Sequence, residues 1–368
     1  LQNRMVFMDN EGYFTENMKR IASLGVDILG GCCGTTPNYI KNIAQQINTK
    51  DLNRGYRIHF SNQMANISKI DITTSTASNK VIRKNDFYEL FKTGKKVVAV
   101  ELDPPFDAKD EKILDCARKL KNNRVDVITL ADSPMGRSRV DSLLMSVKIA
   151  KETGLEVMPH VCCRDKNMIA MRSGILGAYV NGIRNILIVT GDPIPSENRQ
   201  STTGVFDYNS IQLMEYVKEM NGEHFSEEPI YYGGALNYGR GDIHKIIERM
   251  QRKIHAGAKY FLTQPIFTDE DIGRIQYIKE HVETKILCGI MPLVSYRNAN
   301  FIKNEITGIH VPDEVVERYR PDMSKEEAEW VGAEIASELI AKLSSFADGY
   351  YFMLPFNRVS LMDKIRIM

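Results

Sequence analysis

Between residues 97 and 354, short β-branched apolar runs alternate with longer segments whose apolar residues recur at helical spacing. The runs cover 97–103, 125–130, 155–163, 185–192, 231–236, 260–267, 285–291 and 349–354. Helical spacing fills about 110–121, 140–153, 167–181, 210–220, 243–255, 269–281 and 325–345. A short helix is expected near Asn298 and a terminal one from about Val359. Eight strand–helix units in succession predict a parallel sheet covered by helices on both faces.

Closure into a (β/α)8 TIM barrel is the economical α/β solution, and residues 85–368 suit the roughly 250 residues such a barrel needs. An open doubly wound sheet is the alternative. It would carry a glycine-rich turn after its first strand, where this chain has Asp103-Pro104-Pro105-Phe106. Ahead of the barrel, residues 1–47 read as helix (14–23), strand (25–30) and helix (38–47), too little to close a core alone. Residues 48–84 are polar and rich in Ser, Thr and Asn, and read as a linker.

Lys+Arg (48) nearly equal Asp+Glu (47), which argues against binding nucleic acid through bulk positive charge. No apolar run reaches the roughly 18 residues of a membrane span, so no membrane partner is expected. Six cysteines in two adjacent pairs and two singles do not form a disulfide framework, and a reducing, cytoplasmic location is expected. The start lacks both a signal-peptide layout and an initiator Met, so the chain reads as a fragment of a longer one.

In such a barrel chemistry sits at the C-terminal strand ends, which turns polar residues there into candidates. Val97, Ala99 and Glu101 share one face of the first strand, and apolar Val98, Val100 and Leu102 the other. Glu101 is thus expected in the barrel mouth, either as a general acid with a raised pKa or as a salt-bridged structural residue. Thr190-Gly191-Asp192-Pro193 opens a long loop; Gly191 permits close backbone approach to a ligand, and Asp192 is a site carboxylate or a turn residue. Gln264 could read an amide-like ring edge or be tied to backbone. His160 beside Cys162 and Cys163 is a ligand candidate or a core imidazole. Arg252 and Lys253, with Arg249, could meet a phosphate or form a solvated helix face. Arg358 could clamp a carboxylate or cap an element. Gly30-Gly31-Cys32-Cys33-Gly34-Thr35-Thr36-Pro37 suggests zinc, yet two thiolates do not complete a tetrahedral site.

Two resemblances follow. Residues 30–37 resemble the end of the zinc-dependent homocysteine S-methyltransferase barrel, in which both cysteines and a third bind zinc. Only that family's last strand and flanking helices are present, so Cys32 and Cys33 are expected as an incomplete metal site, with zinc only in a complete N-terminal domain. Residues 85–368 resemble the 5,10-methylenetetrahydrofolate reductase family. The matching pieces are 100–105, 159–163, 190–193, 256–258, Thr263-Gln264 and 356–358. The domain order resembles a bifunctional methyltransferase–reductase.

This resemblance implies a flavin barrel binding FAD, with NADH or NADPH as co-substrate and a folate as substrate. Glu101, Asp192 and Gln264 match catalytic positions. His160, Thr190, Gly191, Asp192, Ala235, Arg252 and Lys253 match cofactor positions. Glu101, Gln264, Asn298, Ile302 and Arg358 match substrate positions. Thr190, Ile246 and Arg249 depart from residues some members carry, which leaves the contacts to the adenosine half of FAD open. The implied reaction is ping-pong at one flavin face, giving 5-methyltetrahydrofolate. A homo-oligomer is an open option. The competing readings are a methyltransferase remnant, a flavin barrel acting on another amine, and a flavin-free barrel that docks to a partner.

Overall fold

The computed structural model describes residues 10–26, 28–31, 34–47, 85–239, 241–306 and 308–367. The chain divides into two compact units, Leu1–Lys80 and Val81–Met368. In the first, α1 (Glu11–Ser23) and α2 (Pro37–Gln46) are joined by edge-on packing of Phe14 and Tyr39, ring centroids 5.3 Å apart. The strand expected at 25–30 does not form at its described positions. A lone strand has no neighbour for its N–H and C=O groups. Cys32, Cys33 and the expected linker at 48–84 lie outside the described residues.

The second unit is a closed barrel of eight parallel strands in sequential order. They are β1 (Val97–Leu102), β2 (Val127–Leu130), β3 (Glu156–Cys162), β4 (Asn185–Val189), β5 (Tyr231–Leu236), β6 (Tyr260–Pro265), β7 (Lys285–Ile290) and β8 (Gly349–Met353). Ahead of β1 lies α3 (Asp86–Leu90). Between the strands run α4 (Glu111–Lys121), α5 (Ser142–Thr153), α6 (Met168–Val180), α7 (Ser210–Glu223), α8 (Ile243–His255) and α9 (Asp269–His281). The β7–β8 connection carries α10 (Tyr296–Glu305), α11 (Asp313–Glu317) and α12 (Lys325–Leu343). After β8 the chain forms 3-10 turns, the last at Val359–Asp363, where an α-helix was expected. No helix among the described residues is long and apolar enough to cross a membrane.

Alternation along the strands divides the core in two. Val98, Val100, Leu102, Ile128 and Leu130 face outward and pack with Ile113, Leu114, Ala117 and Leu120 of α4. Val97, Ala99, Val127, Met158, Leu187, Leu262, Leu287 and Tyr351 fill the barrel interior. Tyr260 crosses it, its hydroxyl donating to the Ile186 carbonyl at 2.9 Å. Gly233 gives that ring its space, since a Cβ there would lie 2.2 Å from it.

The N-terminal end of the barrel is filled by α3. Phe87 is fully buried against Tyr260, with centroids 5.4 Å apart, and Phe91 joins the same interior cluster. Tyr88 stacks on Tyr231 at 4.2 Å, and the Asn85 side chain caps α3 while donating to Asn185 Oδ1 at 2.8 Å. Burying a phenylalanine contributes about 2–3 kcal/mol. Five residues are too few for helical periodicity to reveal, so the hydrophobic pattern did not announce this element.

Candidate active site

At the opposite end the strands open into a cavity of about 1400 Å3. Strand alternation aims Glu101, near the end of β1, into it. The side chain is 21% exposed, and that exposure is to the cavity. Glu101 Oε2 accepts the Tyr351 hydroxyl and lies 3.7 Å from His160 Nε2. Burial, reinforced by the carboxylates of Asp103 and Asp192, lifts the Glu101 carboxyl to about 7, against the opposing pull of the Tyr351 hydrogen bond. Near neutral pH this group is therefore divided between acid and carboxylate, as proton transfer requires.

His160, inward on β3, is pushed down to about 4 by burial. It is neutral at physiological pH, so the 3.7 Å approach to Glu101 is not an ion pair. Its Nε2 is buried and has no hydrogen-bond partner among the described residues. Such an atom is costly unless a ligand satisfies it.

The end of β4 supplies Thr190, Gly191 and Asp192 to the wall. Gly191 has φ +97°, and a Cβ there would sit 2.2 Å from Cys162 Sγ. Asp192 Oδ2 accepts the Met135 N–H at 2.7 Å, linking the β4 loop to the loop after β2. Buried Arg164 braces both loops, donating to the carbonyls of Asp192 (2.9 Å) and Ser133 (3.0 Å). Asp132 also lines the cavity; burial raises it to about 6, and it accepts the Cys162 N–H at 3.0 Å.

Gln264 reaches the cavity next to an irregularity in β6. Leu262 pairs with Leu287 but Pro265 with Gly289, so β6 carries one extra residue. Bulges of this kind re-aim side chains beside active sites. Thr263 secures the kink, its hydroxyl accepting the Gly289 N–H and donating to the Gln264 carbonyl, both at 2.7 Å.

Ala235 on β5 accepts Lys253 Nζ at its carbonyl, 2.9 Å away. Lys253 is only 8% exposed, and burial, then neighbouring Arg249, lowers it to about 8. It belongs to the cavity wall rather than to a solvated helix face. Lys245, Arg249 and Arg252 line the same side, so the cations of α8 outnumber the acidic Asp242 and Glu248 that line it with them.

Three expected substrate positions do not line this cavity. Asn298 is buried and its Oδ1 accepts the Val294 N–H at 3.2 Å. Ile302 packs into the outer core. Arg358 pairs with Glu329 at 3.3 Å. Among the described residues no group of three or more His, Cys, Asp or Glu side chains could hold a metal ion.

Tyr351 and Asp132 were absent from the sequence candidates. Alternation in β8 would have turned Tyr351 inward with Gly349 and Met353, but a tyrosine in an apolar run reads as core. Asp132 follows β2 in a loop, where no periodicity assigns a direction.

Polar groups gather at one end of the barrel while phenylalanine fills the other. In (β/α)8-barrel enzymes the strand-end mouth is where chemistry occurs, which makes the first end the candidate site of this (β/α)8 barrel. Comparison narrows the class. The family model "Methylenetetrahydrofolate reductase" matches residues 86–365, and "Homocysteine S-methyltransferase" matches residues 3–47. A 5,10-methylenetetrahydrofolate reductase of Escherichia coli is 25% identical over 271 residues, covering 72% of this chain and 87% of that protein. The Pectobacterium carotovorum enzyme is 26% identical over 275 residues, covering 73% and 88%. Methylenetetrahydrofolate reductase 2 of Saccharomyces cerevisiae is 28% identical over 196 residues, 52% of this chain. This chain spans only about a third (32%) of that yeast protein's length. The chain belongs to the methylenetetrahydrofolate reductase family, oxidoreductases of one-carbon metabolism.

Proposed function

We propose that this chain reduces 5,10-methylenetetrahydrofolate to 5-methyltetrahydrofolate with NADH or NADPH, using FAD, the two substrates occupying one mouth in turn. The observation that carries this reading is the Glu101 carboxyl, poised near neutrality beside Tyr351 inside a cavity that opens at one end of the barrel.

The residues present fit a flavin dinucleotide. The orphaned His160 Nε2 needs a polar ligand atom, and Gly191 permits a close backbone approach. The wall of Lys245, Arg249, Arg252 and Lys253 suits phosphate. The cavity of about 1400 Å3 exceeds the roughly 300–1,000 Å3 of a single small-ligand pocket, leaving space for a second ligand. His160, Thr190, Gly191, Asp192, Ala235, Arg252 and Lys253 would hold the flavin, which when bound supplies hydride transfer.

The chain's own groups orient the substrate and move the proton. Gln264 can donate to and accept from a pterin edge. Glu101 protonates the folate nitrogen that leaves as the five-membered ring opens. Asp192 provides a fixed carboxylate opposite the resulting cation. With the other end filled by Phe87 and Phe91, this cavity is where both substrates enter, which favours alternating occupancy. The match of residues 3–47 supports reading the N-terminal unit as the end of a methyltransferase barrel, with zinc belonging to the complete domain.

The test is an anaerobic absorption spectrum of the purified protein. Flavin bands should bleach with NADH or NADPH and return on adding methylenetetrahydrofolate. Return only with oxygen would remove folate from the reading. A colourless protein that does not take up FAD would remove the flavin.

A further inference from the structure

The two oxygens of Glu101 stand in different surroundings. Oε2 is engaged by the Tyr351 hydroxyl and faces His160 Nε2 at 3.7 Å. Oε1 receives no hydrogen bond from the described residues, and Glu101 lines the cavity. Tyr351 is itself held fast. It is 6% exposed and packs in the interior cluster with Ala99 and Val127. In the β1–β8 register Ala99 lies opposite Tyr351 and Glu101 opposite Met353, so the phenol sits one inward step below the carboxyl and reaches up to it.

Burial and the nearby carboxylate hold the phenol well above its usual range, so it is a permanent donor that never becomes an anion itself. A fixed donor stabilises a carboxylate more than a carboxylic acid. We propose that Tyr351 is the positioning residue of this site: it locks the Glu101 carboxyl by Oε2, presents Oε1 to the cavity, and holds the conjugate base once the proton has left. In the transfer the O–H bond at Oε1 breaks and an N–H bond forms on the substrate amine. The electron pair stays on the carboxylate, which the Tyr351 hydroxyl continues to bind. The catalytic consequence rests on the reading of Glu101 as the acid; the structural coupling does not.

Several other groups act on Glu101. Asp103 at the end of β1 and Asp192 after β4 raise its proton affinity. His160 on β3 is neutral. Asp132 after β2 lines the same cavity. Tyr351 on β8 opposes the two carboxylates. Removing its hydroxyl alone therefore has a defined direction.

The experiment is an infrared titration of the carboxyl C=O band in the full chain without substrate, with Glu101→Gln identifying the Glu101 contribution. In Tyr351→Phe the midpoint should rise by about one pH unit. Tyr351→Met removes the same donor and serves if the phenylalanine variant does not fold. The descending alkaline limb of folate turnover should move up with the infrared midpoint while the plateau falls. An unchanged or lowered infrared midpoint would overturn the proposal. A raised midpoint in a protein that does not turn over folate would uphold the Tyr351–Glu101 coupling and sink the reductase reading instead.

Discussion

Replacing Glu101 by glutamine removes one ionisation and little else, because the amide keeps an oxygen for the Tyr351 hydroxyl. The folded protein lifts this carboxyl from 4.5 to about 7. Between those values the folded state holds a proton that the unfolded chain releases. The stabilisation from this group is thus fully present below about pH 4.5 and is lost as pH rises through 7. A shift of this size corresponds to about 3 kcal/mol at most. Glutamine never incurs that loss. Relative to the parent protein, Glu101→Gln should gain up to about 3 kcal/mol between pH 4.5 and pH 8. His160 works in the other direction. Its imidazole falls from 6.5 to about 4, so it adds stability as pH rises across that interval. Both proteins carry His160, so its contribution largely cancels in the comparison. In the parent the two trends oppose each other; the variant loses the Glu101 trend and keeps those of His160 and of Asp132, which burial raises to about 6 and which both proteins share. Urea unfolding of both proteins at pH 5 and pH 8 measures the difference. The same stability gap at both pH values would refute the buried-acid argument. In the functional assay the variant should retain flavin reduction by NADH or NADPH and lose folate turnover; equal loss of both in a folded protein would remove the acid role.

Three further changes test other parts of the structure. Gly191→Ala should cost about 2–4 kcal/mol, since alanine must adopt φ +97° with its Cβ 2.2 Å from Cys162 Sγ; an unaltered melting curve would contradict it. Phe87→Ala should cost about 3–5 kcal/mol in urea unfolding by hollowing the filled end of the barrel, and a loss under 1 kcal/mol would mean that α3 does not pack there. Lys253→Met keeps the apolar stem and deletes the buried charge; FAD affinity, read by fluorescence titration, should drop about tenfold or more while the fold persists, and undiminished affinity would take Lys253 out of the cofactor wall.

The barrel was legible because its information is periodic. Strand runs separated by helical segments specify the order β1 to β8, and the alternation of side chains along β1 placed Glu101 inward. What was hidden depends on long reach or on distant partners. Lys253 was named as a candidate, but its bond to the Ala235 carbonyl was not legible, since only the length of its stem carries the amine back there. Phe87 belongs to a helix of five residues, with Phe91 at its C-terminal cap, below the length at which a period can be seen. Asn298 and Arg358 are committed to the Val294 amide and to Glu329, partners that no local pattern identifies.

The contact between Tyr351 and Glu101 joins residues 250 positions apart, across the seam where β8 meets β1. A chain emerging from the ribosome has made seven strands before the phenol exists to meet the carboxyl. Until β8 docks, β1 lacks one of its two neighbouring strands and Glu101 Oε2 lacks the hydroxyl it accepts in the closed barrel. The setting that raises the Glu101 carboxyl and ties it to Tyr351 is therefore a product of closure: the last strand added completes both the hydrogen-bonded circle and this carboxyl's surroundings.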